Sequence, residues 1–143
     1  MEQKTIQVHV SETGESVFSV DIMVSGHHIK GDESVEAGGA NLGPAPHDLL
    51  TAALGECTAM TIRWYAHQQK WPLEKVFVKV YYRKEGRQDV FRKEINMFGT
   101  ELTEDQRLKL TEIAAKCPIQ RTLEGTPSIT TVDSMKHSSA PHH

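Results

Sequence analysis

An α+β fold with antiparallel strands around a long central helix is predicted by three features of this 143-residue sequence. Period-two alternation occurs in adjacent pairs of short segments, a long stretch of helical periodicity lies between those pairs, and a shorter helical stretch breaks at Lys116-Cys117-Pro118. Ile6, Val8 and Val10 share one face against Gln7 and His9 on the other. After the SETGES stretch with Gly14, the alternation resumes at Phe18, Val20, Ile22 and Val24, with Ser19, Asp21 and Ser25 out of phase. Two such runs joined through a glycine form an antiparallel hairpin. A third short strand is placed at His28 to Gly31. The following EAGGANLGPAP, residues 36–46, is rich in Gly and Pro and reads as an ordered loop that delivers the chain into a helix.

That helix is expected over 46–69. Pro46 suits a first helical position, and Asp48 places a carboxylate where the helix dipole favours negative charge. At 100° per residue, Leu50, Ala53, Leu54, Cys57, Thr61 and Trp64 cluster on one side, so Cys57 is expected in the middle of the buried stripe. After Trp71-Pro72 the strands return. Val76, Val78, Val80 and Tyr82 oppose Lys75, Lys79 and Arg83, the KEGRQD stretch turns, and a second alternating segment runs from Val90 to Phe98. Thr103 and Gln106 form a capping box for the next helix, which puts Leu110, Ile113, Ala114 and Cys117 on one face. Pro118 disfavours helical geometry at Cys117, so the chain breaks there, restarts as PIQRTLE and stops at Gly125. A last strand is expected from Ile129 to Val132. Residues 1–136 thus form one domain, and 137–143 a polar, His-rich tail set aside from fold and metal arguments.

Composition narrows the function. With 38% hydrophobic and 24% charged residues, a chain of this length encloses a core without disulfides or metal. The formal net charge of −3 argues against a surface that neutralises nucleic acid phosphates. No apolar run is long enough to cross a membrane, and the charged first twenty residues lack a secretory signal, which together imply a cytoplasmic protein. The glycines before the long helix lack the P-loop lysine and the dinucleotide spacing. GxSxG and HExxH are absent, so ordinary hydrolytic machinery is not in view. Cys57 and Cys117 are too far apart in sequence for a CxxC site, and neither a metal nor a cofactor is called for.

The two cysteines are either buried small hydrophobes or a redox-active pair. At the start of a new helix Cys117 meets free N–H groups that favour thiolate, with Lys116 and Arg121 adding positive charge. Glu56, beside Cys57, opposes thiolate if it points inward. His47 falls about 80° from Cys57 around a straight helix and Asp48 about 180°, so His47 is the nearer candidate partner. It is either solvated or a group that polarises substrate or pairs with a thiolate. The His27-His28 pair reads as a turn or strand edge.

GPAPHDLLTAALGECTAMTIRWYA, followed by a strand pair and LTEDQRLKLTEIAAKCPIQRTL, resembles the OsmC/Ohr family of osmotically inducible and organic hydroperoxide resistance proteins, in its small OsmC-like branch. The resemblance spans most of the chain and aligns both cysteines with the family's redox pair. It implies an intertwined homodimer with active sites at the subunit interface. It further implies a two-cysteine peroxidase of oxidative stress defence. Cys57 would attack an organic hydroperoxide, Cys117 would resolve the sulfenic acid as a disulfide, and an external dithiol, lipoyl-type or a small thiol, would reduce it. The alternative is a member of the same fold that binds a small ligand or senses oxidation without turnover. Three positions depart from the family pattern. The first arginine is Arg63, so the N-terminal strands supply none to the thiolate; His47 stands where a glutamate is usual; and Glu56 replaces a small residue before Cys57. His47, Asp48, Glu56 and Arg121 are the candidate substrate- or thiolate-stabilising residues, with Lys30 and Arg63 as further candidate cations.

Overall fold

The computed structural model describes residues 5–135. Its first sheet has three antiparallel strands in the order β1 (Val8–Glu12), β2 (Val20–Val24) and β3 (His27–Gly31). Val8 pairs with Val24, Val10 with Ile22, and Ile22 in turn with Ile29. The β2–β3 turn is two residues long, and both Ser25 and Gly26 have positive φ, at 51° and 79°. That geometry matches the right-handed twist of the strands it joins. The strands start two residues later than the alternation suggests, at Val8 and Val20; ahead of β2, Thr13 to Ser19 fold back in a web of hydroxyl bonds around Ser16 and Ser19.

The loop after β3 is ordered by one carboxylate. Asp32, only 4% exposed, accepts hydrogen bonds from the Ser16 hydroxyl and from the backbone N–H groups of Glu33, Ala40 and Leu42. Gly43 passes so close to the Lys30 carbonyl, 2.0 Å from where a Cβ would sit, that no side chain fits there.

Helix α1 (Pro46–Gln69) has the expected bounds. Its C-terminus is closed by Lys70 in the left-handed region, with the Trp71 N–H donating to Ala66 O. Its fully buried line is Leu54, Thr58, Ile62 and Ala66, which corrects the expected stripe. The true stripe is rotated by roughly a third of a turn, because Thr58 is buried with its hydroxyl satisfied by the Leu54 carbonyl at 2.7 Å. Cys57 consequently lies at the edge of the core, and Trp64 is 60% exposed.

Strands β4 (Lys75–Glu85) and β5 (Gln88–Phe98) form a long hairpin turning at Gly86-Arg87. Val76, Val78, Val80 and Tyr82 face α1 and pair with Met97, Ile95, Lys93 and Phe91. Gly55 brings α1 down onto this hairpin, its position 3.2 Å from the Val80 side chain. Helix α2 (Glu104–Ala114) begins with the expected capping box, Thr103 and Gln106 exchanging bonds of 2.9 and 3.1 Å. Helix α3 (Pro118–Glu124) follows with Cys117 as its N-cap and Gly125 beyond it.

Ile62, Ala66, Leu73, Leu102, Leu110 and Ala114 form the core between α1, α2 and the hairpin. Leu110 is completely buried. Leu110→Ala is expected to cost about 3 kcal/mol, because a cavity between two helices collapses only partly. Urea denaturation of the purified variant checks this, and a loss below about 1 kcal/mol would remove Leu110 from the core as drawn.

The expected strand from Ile129 to Val132 does not form. Both residues are exposed, and no other backbone among the described residues pairs with them. The tail at 137–143 lies outside the described residues.

Candidate active site

The fold brings together two thiols that are far apart in the sequence. Cys57 stands midway along α1. Cys117 reaches it because Pro118 interrupts the helical chain after α2. The proline forces Cys117 into an extended conformation (φ −66°, ψ 150°) and starts α3 across the α1 surface. Both cysteines are free, Cys57 half-buried and Cys117 with no exposure at all. The Cys57 thiol is close enough to Cys117 to favour its thiolate.

The first turn of α3 gives a backbone N–H to each sulfur. Ile119 donates to Cys57 Sγ at 3.4 Å, and the Gln120 N–H lies where it favours the Cys117 thiolate. Thr58 Oγ1 lies 3.6 Å from Cys117 Sγ. Behind it, Lys93 Nζ donates to Thr58 Oγ1 at 3.0 Å and to the Ala114 carbonyl at 2.8 Å. Burial works to raise the Cys117 thiol, but the Gln120 N–H, the Thr58 hydroxyl, the Cys57 thiol and the Lys93 charge outweigh it and hold it below the ordinary value. Burial likewise pushes the Lys93 ammonium down, against the opposing pull of Cys117, Cys57 and Glu124.

The surroundings of the pair are unequal on its two sides. Cys57 opens onto a cavity of about 740 Å³ walled by Met60, Trp64, Ile113 and Ile119. Glu56, Lys116 and Arg121 stand on the same wall, so two of the candidate residues share the space of the Cys57 thiol. A second cavity, of about 650 Å³, is bordered by His47, Tyr82, Asp89, Lys93, Gln120 and Glu124. His47 belongs there rather than beside Cys57. Its ring stacks on Tyr82 with centroids 4.9 Å apart and planes 18° from parallel, and the Tyr82 hydroxyl donates to Asp89 at 2.6 Å.

Asp48 is occupied in holding the helix start, where its carboxylate accepts from the Ala45 N–H at 2.9 Å. The other candidate cations have partners elsewhere. Lys30 pairs with Glu15 on the first sheet, and Arg63 donates to the carbonyls of Leu73 and Glu74. Sequence reasoning missed Lys93 and Thr58. The signal for Lys93 was present: it shares the inward phase of β5 with Phe91, Ile95 and Met97, where a charge is out of place.

Among the described residues no group of three or more His, Cys, Asp or Glu side chains converges as a metal site. No helix among them is long and apolar enough to cross a membrane.

Residues 38–132 match the family described as OsmC-like protein, which includes both cysteines, all of α1 and the Pro118 break. The chain belongs to the OsmC-like family. Solved structures agree on the OsmC-like fold. An OsmC-like protein from Mycoplasma pneumoniae superposes with a TM-score of 0.67 at 17% identity, covering 87% of this chain and 90% of that one. An organic hydroperoxide resistance protein OsmC from Legionella pneumophila gives 0.61 at 20% identity, covering 87% and 93%. An organic hydroperoxide resistance protein from Elizabethkingia anophelis, with thiocyanate bound, gives 0.63 at 20% identity, covering 87% and 91%. No curated protein sequence matches this OsmC-like chain.

Proposed function

We propose that this protein is a two-cysteine peroxidase that reduces organic hydroperoxides to alcohols in oxidative stress defence. One observation carries the reading: an accessible thiol at an apolar cavity stands beside Thr58, whose hydroxyl is 3.6 Å from a second thiol that is wholly enclosed. The Cys57 thiolate attacks the peroxide oxygen. The O–O bond breaks, the alkoxide leaves and takes a proton to become the alcohol, and Cys57 is left as sulfenic acid. Cys117 then displaces the sulfenic hydroxyl to give the disulfide. An external dithiol, of lipoyl type or a small thiol, restores both thiols by exchange at the accessible Cys57 sulfur. The apolar walls of Met60, Trp64, Ile113 and Ile119 favour an organic hydroperoxide over hydrogen peroxide. Lys116 and Arg121 on the same wall supply positive charge near the attacking sulfur, against Glu56. The working form is a cytoplasmic homodimer; the exposed Val8 and Val10 on the first sheet support the dimer.

Titrating the reduced protein with one equivalent of cumene hydroperoxide, with hydrogen peroxide for comparison, tests the reading by thiol count. Both thiols are expected to disappear, faster with the organic peroxide, and to return with a dithiol. Persistence of both thiols would overturn peroxidase chemistry and leave ligand binding or redox sensing in this fold as the function.

A further inference from the structure

Lys93 is a charged residue in an apolar phase. On β5 it faces α1 in line with Phe91, Ile95 and Met97, opposite Val80. An ammonium taken from water into such a place is costly unless its charge is answered. Its hydrogen bonds go to a hydroxyl and a carbonyl, both neutral, and among the described residues no carboxylate forms an ion pair with it. The charges and titratable groups that face it are Cys57 on α1, Cys117 and Glu124 at the two ends of α3, and His47, Tyr82 and Asp89 across the second cavity. Of these, Cys117 exerts the strongest pull on it. The half-buried ammonium reaches a sulfur through a hydrogen bond, since Thr58 joins Lys93 to Cys117.

The link runs through Thr58. Its oxygen accepts from Lys93, and its single hydroxyl proton bonds the Leu54 carbonyl at 2.7 Å in the thiol state. When Cys117 ionises, the same proton can turn to the sulfur 3.6 Å away while Lys93 keeps its hold on the oxygen. An ammonium that polarises a hydroxyl, which in turn donates to a thiolate, stabilises the anion more than either group alone.

We propose that Lys93 is a positioning residue for the resolving step, holding Cys117, through the Thr58 hydroxyl and its own charge, as the thiolate that attacks the Cys57 sulfenic acid. The inference rests on the peroxidase reading for the identity of that step. In it the Cys117 sulfur lone pair forms the S–S bond and the S–O bond of the sulfenic acid breaks. Hydroxide leaves with that electron pair and takes up the proton Cys117 released on ionising, so the products are the disulfide and water. Cys57 sees Lys93 more weakly and has the Ile119 N–H and the open cavity instead. The cation missing from the N-terminal strands is thus supplied from β5, and to the second thiol rather than the first.

Two measurements on Lys93→Met, Lys93→Arg and Thr58→Val separate this inference from the reading beneath it. The first titrates the Cys117 thiolate by its ultraviolet absorbance in a Cys57→Ser background. Lys93→Met is expected to move that titration up by about one pH unit or more, Thr58→Val to move it in the same direction by less, and Lys93→Arg to restore most of it. The second follows disulfide formation after one equivalent of cumene hydroperoxide with Cys57 intact. At pH 7 Lys93→Met is expected to slow resolution about tenfold, the loss of thiolate that a one-unit shift entails, while the oxidation of Cys57 slows much less. The deficit should close as pH rises, because Cys117 then ionises unaided. A merely structural defect would not be mended by alkali. An unmoved Cys117 titration in both Lys93→Met and Thr58→Val would overturn the inference, as would equal slowing of both chemical steps at every pH. If the unmodified protein leaves the peroxide intact yet its Cys117 titration moves with Lys93→Met, the peroxidase reading fails while the Lys93–Cys117 coupling stands. Should Lys93→Met not fold, Thr58→Val decides: an unmoved Cys117 titration in it overturns the inference.

Discussion

Cys57→Ser is expected to abolish peroxide consumption, a loss on the order of a thousandfold or more, because a serine hydroxyl is neither ionised near neutrality nor soft enough to attack a peroxide oxygen. Cys117→Ser should behave differently. It keeps the accessible nucleophile, the apolar cavity and the Ile119 N–H, so it completes one turnover but forms no disulfide. Cys57 then has no partner thiol, and excess peroxide carries its sulfenic acid to the sulfinic acid. Mass spectrometry of the Cys57 peptide after a peroxide titration distinguishes the two variants. Cys117→Ser is expected to fold, since the buried site already offers the Thr58 hydroxyl as a partner. Equal rates in the two variants would sink the assignment of nucleophile and resolver. The asymmetry is expected from exposure: a wholly enclosed Cys117 cannot meet a bulky hydroperoxide first.

Much of this arrangement was legible in the sequence because it depends on local signals. Pro46, the Thr103–Gln106 capping box and the Cys117-Pro118 break set helix bounds without reference to anything distant. The alternation through Val76 to Tyr82 gave the correct inward face of β4. What failed was the buried line of α1. An apolar count omits Thr58, whose hydroxyl is satisfied within its own helix and is therefore free to be buried. That omission concealed the site's wiring, since Thr58 is the contact between Lys93 and Cys117. His47 was misjudged as a neighbour of Cys57 for a related reason. Angular distance around a helix ignores the strand packed beside it, and Tyr82 on β4 captures the ring. The strand expected at Ile129 to Val132 failed for a third reason: its apolar residues pronounce a propensity, but a strand exists only where another backbone accepts its bonds.

The second large effect concerns assembly. At micromolar concentration the protein is expected to sediment as a dimer of its 16.0 kDa chain. The first sheet has a polar face carrying His9, Asp21, His28 and Lys30, with Asp21 accepting from His28 at 2.8 Å. Its other face aligns Val8 with Val24 and Val10 with Ile22 and Ile29, an apolar patch. Neither α1 nor the β4–β5 hairpin packs broadly on that patch, and Val8 and Val10 are 48% and 58% exposed. A three-stranded sheet with one bare apolar face is a marginal structure in water, so its order implies a cover. A second copy is expected to supply one of matching character, because Met60, Ile129 and Val132 are likewise exposed apolar side chains. Val10→Asp places a carboxylate at the centre of the patch without touching the Cys57–Cys117 pair. It is expected to convert the dimer to monomer at micromolar concentration and to lower the unfolding midpoint in a concentration-dependent way, as dissociation linked to unfolding requires. Sedimentation velocity and thermal melts at two protein concentrations measure both effects. A wild-type chain that sediments as a monomer with a melt independent of concentration would leave the patch uncovered by its own kind and the dimer reading without support.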